Sequence, residues 1–253
     1  MISEYSITVV MPAYNAARTL EKTYNEIPFD IVDHTILVDD GSTDDTVKIA
    51  RELGIDHVIV HKWNKGYGAN LKTCYRKAKE LNSDIVVLLH PDYQYTPKLI
   101  RPMCHMIADG LYPAIIASRM LGKGARKGGM PYYKYIFNRI LTKAQNLIMG
   151  QSLSEYHSGY RVYSAKALFC LNYEANSDGF LFDNQMIAQL YYASYELGQI
   201  ACPTKYEDDS SSASFFASLK YGIGVIKTAF LYTLQKKKLI NHPLFLKIHQ
   251  PNI

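Results

Sequence analysis

Residues 7–46, ITVVMPAYNAARTLEKTYNEIPFDIVDHTILVDDGSTDDT, contain two short apolar runs with a helical pattern between them. Ile7–Met11 and Thr35–Val38 have the length and the branched side chains of buried strands, and residues 17–26 have helical spacing. A strand, a helix and a second strand at this spacing form a unit with two parallel strands. Further strands are predicted at His57–Val60, Asp84–Leu89 and Ala114–Ser118, with helices near 43–53, 68–81 and 96–109. We therefore predict an α/β fold with a Rossmann-like, doubly wound, mostly parallel sheet.

The pattern changes after Ser118. Residues 119–131 are rich in Gly, Lys and Arg and have no hydrophobic period, which predicts a mobile loop. Apolar residues at helical spacing follow from Tyr133 to Ile148 and predict a helix with one apolar face. The remaining elements are predicted as a helix near 181–197, a strand near 200–206 and a final helix near 214–236. We expect one domain at residues 1–210 and a C-terminal extension, an amphipathic helix and tail, at residues 211–253.

Composition and charge bound the class of protein. The chain has 253 residues, 48% of them hydrophobic, and a net charge of +5. This mild basicity suits an anionic small molecule or an acidic membrane surface and is too weak to indicate a nucleic-acid partner. The four cysteines share no short spacing, so we expect reduced thiols rather than disulfides or a zinc site. The first residues lack the features of a signal peptide, and we expect a cytoplasmic protein.

Polar and acidic residues follow each predicted strand of the first half. Because parallel strands end at one edge of the sheet, and ligands bind beyond that edge, these segments indicate a binding site. The segments are Pro12-Ala13-Tyr14-Asn15, Asp39-Asp40-Gly41-Ser42, Asn64-Lys65-Gly66-Tyr67-Gly68-Ala69-Asn70 and His90-Pro91-Asp92-Tyr93-Gln94.

Each segment also has a plainer interpretation. Asp39 and Asp40 suit a turn before a helix, and the glycines of the third segment suit an ordinary turn. The third segment lacks the spacing of a dinucleotide-binding fingerprint. His90, Asp92 and Gln94 place three candidate metal ligands within five residues, where a divalent ion would offset the charge of a diphosphate.

In order and spacing, the segments VVMPAYN, ILVDDGSTDDT, NKGYGANLKT and LLHPDYQYTPKLI resemble the family-2 glycosyltransferases. The likeness is nearest to the branch of polyprenyl-phosphate mannose and glucose synthases, and it continues through ASRMLGKG, HSGYRVYSAKAL and DGFLFDNQM, covering about residues 5–210. It implies a GT-A fold and an inverting transfer from a nucleoside diphosphate sugar, with Mn²⁺ or Mg²⁺ as cofactor. The implied nucleotide-binding residues are Pro12, Ala13, Tyr14, Asn15, Asp39, Asp40 and Gly66. The implied metal and diphosphate ligands are Asp92 and Gln94, and Arg119 and Arg161 are implied near phosphate groups.

The chain departs from the pattern of this branch at several positions. His90 stands where the metal loop usually has Asp, so His90 is either a softer metal ligand or a contact to the ribose. Ala16 stands where Glu is frequent, and Gln185 stands where a second acid follows Asp183. Glu207, Asp208 and Asp209 replace the basic residues that usually precede the last helix. These differences affect the acceptor more than the nucleotide.

The sequence leaves the acceptor and the donor open. A hydroxyl acceptor needs a base, for which Asp183 is the candidate, whereas a polyprenyl phosphate is already anionic. The second acceptor would be held by Arg119, Lys123, Arg126, Lys127 and Arg161, which the basic loop favours. We favour a UDP-sugar over GDP-mannose as donor. The alternative function is a non-catalytic protein that binds sugar nucleotides or a partner.

The last helix has apolar residues at helical spacing, followed by Lys236-Lys237-Lys238. This pattern favours a helix packed on the domain or on a second subunit in a homo-oligomer. The other interpretation is an interfacial helix on a lipid surface, which would make the protein peripheral to the membrane. The apolar row consists of Phe216, Leu219, Ile223, Ile226, Phe230 and Leu234.

Overall fold

The computed structural model describes residues 2–122, 124–204 and 215–246. The strands in these residues are β1 (Ile7–Ala13), β2 (His34–Asp39), β3 (His57–Val60), β4 (Ile85–Leu88), β5 (Ala114–Ser118), β6 (Arg161–Ser164) and β7 (Leu197–Ala201). They form one sheet in the order β3-β2-β1-β4-β6-β5-β7. All neighbouring strands pair in parallel except β6, which runs antiparallel to both β4 and β5. The predicted mostly parallel α/β sheet is confirmed.

Helices connect the strands. Local signals fix some of their ends: the Thr96 hydroxyl accepts a hydrogen bond from the Lys98 amide at 3.4 Å ahead of Pro97, and Gly150, in the left-handed region, ends the helix Tyr132–Met149. Short 3-10 turns lie at Ile2–Glu4, Pro97–Leu99, Tyr173–Ala175 and Pro243–Phe245. The α-helices of the described residues are α1 (Leu20–Asn25), α2 (Thr46–Glu52), α3 (Tyr67–Glu80), α4 (Ile100–Ala108), α5 (Gly124–Lys127), α6 (Tyr132–Met149), α7 (Ala165–Phe169), α8 (Phe182–Tyr192) and α9 (Phe215–Lys236).

The sheet is buried on both faces, as its nearly continuous apolar strands require. Val10 of β1 points to a core shared with α3, α8 and α9, where Tyr75 is fully buried. Val9 and Met11, its neighbours in the strand, point to a second core shared with α1 and α4. The fold therefore has three layers, with the sheet in the middle.

The register aligns the carboxyl ends of the parallel strands. Ala13 pairs with Asp39, and Asp39 pairs with Val60, so the loops after β1, β2 and β3 begin side by side. On the other side of β1, Leu88 of β4 lies opposite Arg161, the first residue of β6. The segments singled out in the sequence thus start from one edge of the sheet.

Three local predictions were wrong. Strand β6 was not predicted, because its four residues carry no alternation long enough to distinguish them from a loop. The strand near 200–206 lies earlier, at Leu197–Ala201. The segment 119–131 contains the short helix α5, and its Met120, Ala125 and Met130 form a small buried cluster. A segment rich in Gly and Lys is therefore partly packed, because apolar residues at three positions are enough to bury it.

The apolar row predicted on the last helix faces solvent from Leu219 onward, and the Phe216 side chain lies outside the described part of the structure. Leu219, Ile223 and Phe230 are 46%, 64% and 53% exposed. The helix packs on the domain through its opposite face, where Val225, Ala229 and Tyr232 are buried. The interpretation of this row as a packing face on the domain is therefore wrong. Small residues on the opposite face, such as Gly222, Thr228 and Ala229, permit α9 to pack closely on the domain. A search for large apolar residues at helical spacing does not detect such a face.

Ala229 and Tyr232 of α9 belong to the same core as residues of α3 and α8.

The boundary predicted between residues 210 and 211 lies outside the described residues, as does Lys123. In the described part of the chain, we find no helix that is long and apolar enough to cross a membrane.

The loop between β3 and α3 is bound to the segment before α8. The Gly68 amide donates a hydrogen bond to the Asp178 carbonyl at 2.7 Å. A Cβ atom on Gly68 would lie 2.1 Å from the Ser177 carbonyl oxygen, and one on Gly66 would lie 2.6 Å from that of Asp178. Lys72 adds hydrogen bonds of 2.7 Å to Asn176 and Asp178. The glycines therefore permit a close backbone contact between the two halves of the chain.

We predict that Gly68→Ala lowers the free energy of unfolding by about 2–3 kcal/mol, because the added methyl group meets backbone that cannot move aside. The midpoint of thermal unfolding should fall by about 4–8 °C, measured by circular dichroism. Gly179→Ala is the control, since its Cβ would make only an ordinary contact at 3.7 Å. Equal midpoints for the two variants would contradict the prediction.

A candidate active site at the carboxyl edge of the sheet

The loops after β1 and β2 are bound to each other. The Asn15 amide donates to the Ser42 hydroxyl at 2.8 Å, and the Thr43 amide donates to the Asn15 side-chain oxygen at 2.9 Å. Asn15 has a φ of 51°, in the left-handed region that Asn tolerates. Tyr14 is 54% exposed beside these contacts, whereas Ala13 is buried and Pro12 half-buried. Tyr14 is therefore free to contact a flat ligand such as a base.

Asp39 and Asp40 organise the loops around them. Asp39 is 1% exposed and accepts hydrogen bonds from the amides of Gly41 and Ser42 and from the Ser42 hydroxyl. Asp40 is 3% exposed and accepts from the amides of Lys65 and Gly66 at 2.9 and 2.8 Å, with His61 at 2.7 Å. The plainer interpretation of both acids, as turn-forming residues, describes these contacts. Their contact with a nucleotide stays a prediction.

The loop after β4 carries the predicted metal ligands. Asp92 is exposed, and its Oδ1 atom accepts a hydrogen bond from the Gln94 amide at 3.1 Å. Tyr93 between them has a φ of 53°, and its ring lies 3.9 Å from the Lys22 ammonium group. His90 is half-buried at the start of the loop. The loop thus presents the carboxylate of Asp92 to solvent at the edge of the sheet.

A chain of hydrogen bonds links this loop to α8. The Tyr67 hydroxyl donates to Asp183 Oδ2 at 2.8 Å, and His90 Nε2 lies 2.9 Å from the same hydroxyl. Since the hydroxyl has one hydrogen, His90 donates to it from Nε2 when Tyr67 donates to Asp183. Burial and the charge of Asp183 raise the pKa of Tyr67 well above its usual value, so the hydroxyl stays protonated. His90 retains only Nδ1 as a ligand for a metal.

Arg161 lies beneath Asp183 and has no exposed surface. Its guanidinium group donates to the carbonyls of Tyr156, Ser158 and Asp183 at 3.2, 2.9 and 2.5 Å. One nitrogen also lies 3.7 Å from Asp183 Oδ1, a buried atom with no hydrogen-bond partner. The predicted place of Arg161 near phosphate groups does not agree with this burial. The position of Arg161 supports a role in holding Asp183 and the segment 155–161.

Arg119 is held from the other side of that segment. Its Nε donates to Glu155 Oε1 at 2.9 Å, its backbone amide donates to Glu155 Oε2 at 2.8 Å, and its Nη2 donates to the His157 carbonyl at 3.1 Å. Glu155 is fully buried and also accepts a hydrogen bond from Asn138 at 2.9 Å. Burial raises the pKa of Glu155, but Arg119, together with His157 and Asn138, outweighs burial and leaves this pKa below its usual value. The carboxylate therefore fixes the guanidinium group of Arg119, whose side chain is 11% exposed.

His157 completes the cluster. Burial lowers its pKa to about 4, so the imidazole is neutral near pH 7. Its Nδ1 lies 2.9 Å from the Tyr221 hydroxyl of α9, and its Nε2 is buried without a hydrogen-bond partner. The first turns of α9 thus contact the segment between the two arginines.

The donor set at this edge fits a divalent ion only in part. Among the described residues, we find no group of three or more His, Cys, Asp or Glu side chains able to hold a metal. The exposed carboxylate of Asp92 provides one strong oxygen ligand, beside Gln94. Mg²⁺ and similar ions are often held by one or two carboxylates together with substrate phosphates and water. The residues therefore fit an ion that binds together with a diphosphate.

The structure brings together residues that the sequence placed apart and adds others. The segment 155–161 connects three of the predicted residues. It contacts Arg119 and contains Arg161, and Arg161 in turn contacts Asp183, which accepts the hydrogen bond from Tyr67. Tyr67 and Glu155 were not predicted as site residues. Tyr67 lies in the segment that follows β3, between Gly66 and Gly68. An aromatic residue between two glycines that permit close packing could have indicated a site residue. Glu155 had no signal, because a lone acid in a loop is usually solvated.

Comparisons with known proteins bear on this site. The sequence model described as Glycosyl transferase family 2 matches residues 8–171. A UDP-N-acetylglucosamine--dolichyl-phosphate N-acetylglucosaminyltransferase of Methanococcus voltae is 27% identical over 220 residues, covering 81% of this chain and 87% of that protein. Glycosyltransferase AglJ of Haloferax volcanii is 25% identical over 244 residues, covering 95% and 74% of the two chains.

Solved structures share the fold. Glucosyl-3-phosphoglycerate synthase of Mycobacterium tuberculosis in complex with UDP has a TM-score of 0.71 and 19% identity, covering 92% of this chain and 83% of that one. Its complex with Mn²⁺, UDP and glucosyl-3-phosphoglycerate has a TM-score of 0.67 and 18% identity, covering 92% and 82%. The GT-A fold predicted from the sequence is thereby confirmed.

We predict that Glu155→Gln lowers the free energy of unfolding by about 3 kcal/mol, because it leaves the Arg119 charge without its buried partner. Because the folded-state pKa of Glu155 is lowered, its contribution is complete above its unfolded pKa of about 4.3 and is lost as pH falls through the lower folded value. Urea unfolding between pH 7 and pH 3 measures both effects.

The matched control is Glu174→Gln, since Glu174 forms an exposed ion pair with Arg76 at 3.4 Å. It should change stability by less than about 0.5 kcal/mol. A loss for Glu155→Gln that is no larger than that of the control, or that persists unchanged at pH 3, would contradict the assignment.

Proposed function

The chain belongs to glycosyl transferase family 2, and on that premise we propose that it transfers a sugar from a nucleoside diphosphate sugar to a polyprenyl phosphate. The chain is a glycosyltransferase that uses nucleotide sugars. The identity of the acceptor, inversion at the anomeric carbon and the requirement for a divalent ion are our proposals.

The chain of hydrogen bonds from His90 through Tyr67 to Asp183 is the observation that carries the proposal. It joins the loop that bears Asp92 to the helix that bears Asp183. Donor and acceptor must meet between two such elements for a sugar to pass from one to the other. Tyr67 therefore fixes the position of the loop after β4, on the donor side, relative to α8, on the acceptor side.

We assign the donor to the loops after β1, β2 and β4. Tyr14 and Asn15 would contact the base and ribose, with Pro12 and Ala13 shaping the backbone there. Asp39 and Asp40 would act by holding the loops, and Gly66 by admitting the close backbone contact at residue 178. A UDP-sugar is the favoured donor, and GDP-mannose is the alternative.

Asp92 and Gln94 would hold Mn²⁺ or Mg²⁺ with the diphosphate, with His90 as a further ligand only through Nδ1. Such an ion, when bound, offsets the negative charge that builds up on the departing diphosphate. Glucosyl-3-phosphoglycerate synthase has been crystallised with Mn²⁺ and with Mg²⁺ together with UDP, which supports a divalent ion for this chain.

An acceptor oxygen must attack the anomeric carbon from the side opposite the diphosphate for the configuration to invert. A phosphate oxygen is already anionic and needs positioning rather than proton removal. Arg119 supports this acceptor, since its guanidinium group is fixed by Glu155 and its side chain retains some exposed surface. Exposed Arg126 and Lys127 of α5 add positive charge on the same segment of chain. The Methanococcus relative, by its name, acts on a dolichyl phosphate.

We place the reaction at the cytoplasmic face of a membrane, where a lipid phosphate and soluble nucleotide sugars meet. Cys74, Cys104, Cys170 and Cys202 are all free thiols, which supports a reducing compartment. The chain would be a peripheral protein at that surface.

Titration calorimetry with UDP-glucose, UDP-N-acetylglucosamine and GDP-mannose, each with and without Mn²⁺, tests the donor. Transfer of the radiolabelled sugar to polyprenyl phosphate in detergent then tests the acceptor. We expect one of the donors to bind in a metal-dependent manner and its labelled sugar to appear on the polyprenyl phosphate. A folded protein that binds none of the three would contradict the proposal.

We predict that Asp92→Ala reduces the transfer rate by about 100-fold or more, because it removes the carboxylate that would hold the divalent ion beside the diphosphate. The dependence of the residual rate on Mn²⁺ concentration should become weak. Asp109→Ala is the control, since Asp109 is exposed at the end of α4. An Asp92→Ala protein with full rate and an unchanged Mn²⁺ dependence would remove Asp92 from the site.

We predict that Asp183→Asn slows transfer to polyprenyl phosphate by only about tenfold, because this acceptor needs no general base. Loss of a general base costs about 10²–10⁴-fold. Steady-state kinetics with labelled donor, on protein shown to be folded, give the ratio. A loss near 10³-fold would instead assign Asp183 as the base for a hydroxyl acceptor.

A further inference from the structure

Helices α6 and α9 carry large apolar side chains on their exposed surfaces. On α6, Leu147 is 86% exposed, and on α9, Ile223 is 64% exposed. A scattered exposed leucine is ordinary, but a row of such residues along a helix marks an interaction surface. The exposed residues are Tyr133, Ile136, Ile140 and Leu147 on α6 and Leu219, Ile223, Phe230 and Leu234 on α9.

The two rows belong to one face. Gly222 packs against Phe137 and Leu141, and the Thr233 hydroxyl donates to the Ile148 carbonyl at 2.9 Å. The contacts advance in the same direction along both helices, so α6 and α9 lie parallel and side by side. At 100° per residue, the exposed row of each helix lies to the same side of this contact. The rows therefore form one apolar face, about 21 Å long between Tyr133 and Leu147.

Positive charges border this apolar face on both sides. Arg139 and Lys143 lie beside the α6 row, away from α9, and Lys220 and Lys227 lie beside the α9 row, away from α6. Neither helix contains an Asp or Glu. Lys236, Lys237 and Lys238 follow at the end of α9 and are exposed.

We propose that this face of α6 and α9 docks on an anionic lipid bilayer. Apolar side chains would enter the boundary between headgroups and acyl chains, and the two rows of cations would meet anionic headgroups. The tyrosine at the start of the face suits the interface, where its ring is apolar and its hydroxyl is hydrated.

Charge favours a bilayer over a second copy of the chain. In a two-fold dimer built on this face, the same surface would lie on both sides of the interface. The cations that border the face would then approach one another, with no acid from either helix to pair with them. An anionic lipid surface complements both rows at once.

Helix α9 also borders the site, through the side opposite to this face. Tyr221 contacts His157, whose carbonyl receives Arg119, and at 100° per residue it lies about 160° around the helix from Leu219 and Ile223. Gly224 packs against Leu181, two residues before Asp183. The apolar face is therefore the outer side of a helix whose inner side contacts the site. The docking on a bilayer does not rest on the proposed function.

Co-sedimentation of the full chain with lipid vesicles tests the proposal. The probes are vesicles of phosphatidylcholine alone and of phosphatidylcholine with about 30% phosphatidylglycerol, at about 0.1 M and about 1 M salt. We expect binding to the anionic vesicles to exceed binding to the neutral ones by about tenfold or more at low salt and to weaken at high salt.

Two sets of variants separate the contributions. Ile140→Gln with Ile223→Gln and Phe230→Gln should lower anionic-vesicle binding by about tenfold or more, and Lys143→Glu with Lys227→Glu should do the same. The matched controls are Phe29→Gln with Leu111→Gln, and Lys98→Glu with Lys166→Glu, all exposed residues outside the face. The controls should bind as the original chain does.

Absence of binding to anionic vesicles, or equal losses in variants and controls, would overturn the proposal. Light scattering that finds a dimer, converted to monomer by the first variant set, would assign the face to a second copy. Calorimetry with the nucleotide sugars runs alongside on every variant. Vesicle binding without donor binding would count against the proposed function alone, and donor binding without vesicle binding would count against the docking surface alone.

Discussion

The buried guanidinium group of Arg161 is the interaction on which the site depends. It lies where β6 begins, at the end of β4, and donates to carbonyls of Tyr156, Ser158 and Asp183. A buried charge of this kind is tolerated only when its donors are satisfied and a counter-charge is near. Asp183 supplies that counter-charge at 3.7 Å, so the start of α8 must lie beside the carboxyl edge of the sheet.

Other contacts of the site follow from this placement. With Asp183 fixed, Tyr67 reaches it from the start of α3, and His90 reaches Tyr67 from the loop after β4. The close approach of residues 66–68 to residues 177–178 makes this geometry available. Glu155 lies in the segment 155–161 as well, but there the charges are reversed. It is a buried anion that fixes a partly exposed cation, Arg119. One arginine thus holds an acid, and one acid holds an arginine.

Helices α6 and α9 show a similar division between packing and function. Gly222 and Thr233 of α9 meet Phe137, Leu141 and Ile148 of α6 in the contact between the helices, while a row of large apolar residues on each helix remains outside. A sequence pattern cannot distinguish these arrangements, because an apolar row at helical spacing suits a core, a partner or a bilayer equally well. The neighbouring helix decides which face is covered, and the position of the cations then indicates what the uncovered face meets.

The sequence by itself determined the fold class, the positions of the first five strands along the chain and the edge at which the polar segments gather. These features follow from local periodicity and from the rule that parallel strands end together. Only the tertiary structure decided that β6 runs antiparallel, that Arg161 is buried, that Asp39 and Asp40 hold loops, and that Glu155 and Tyr67 belong to the site. These outcomes depend on which distant residue lies opposite a given side chain, and short sequence patterns carry no information about that.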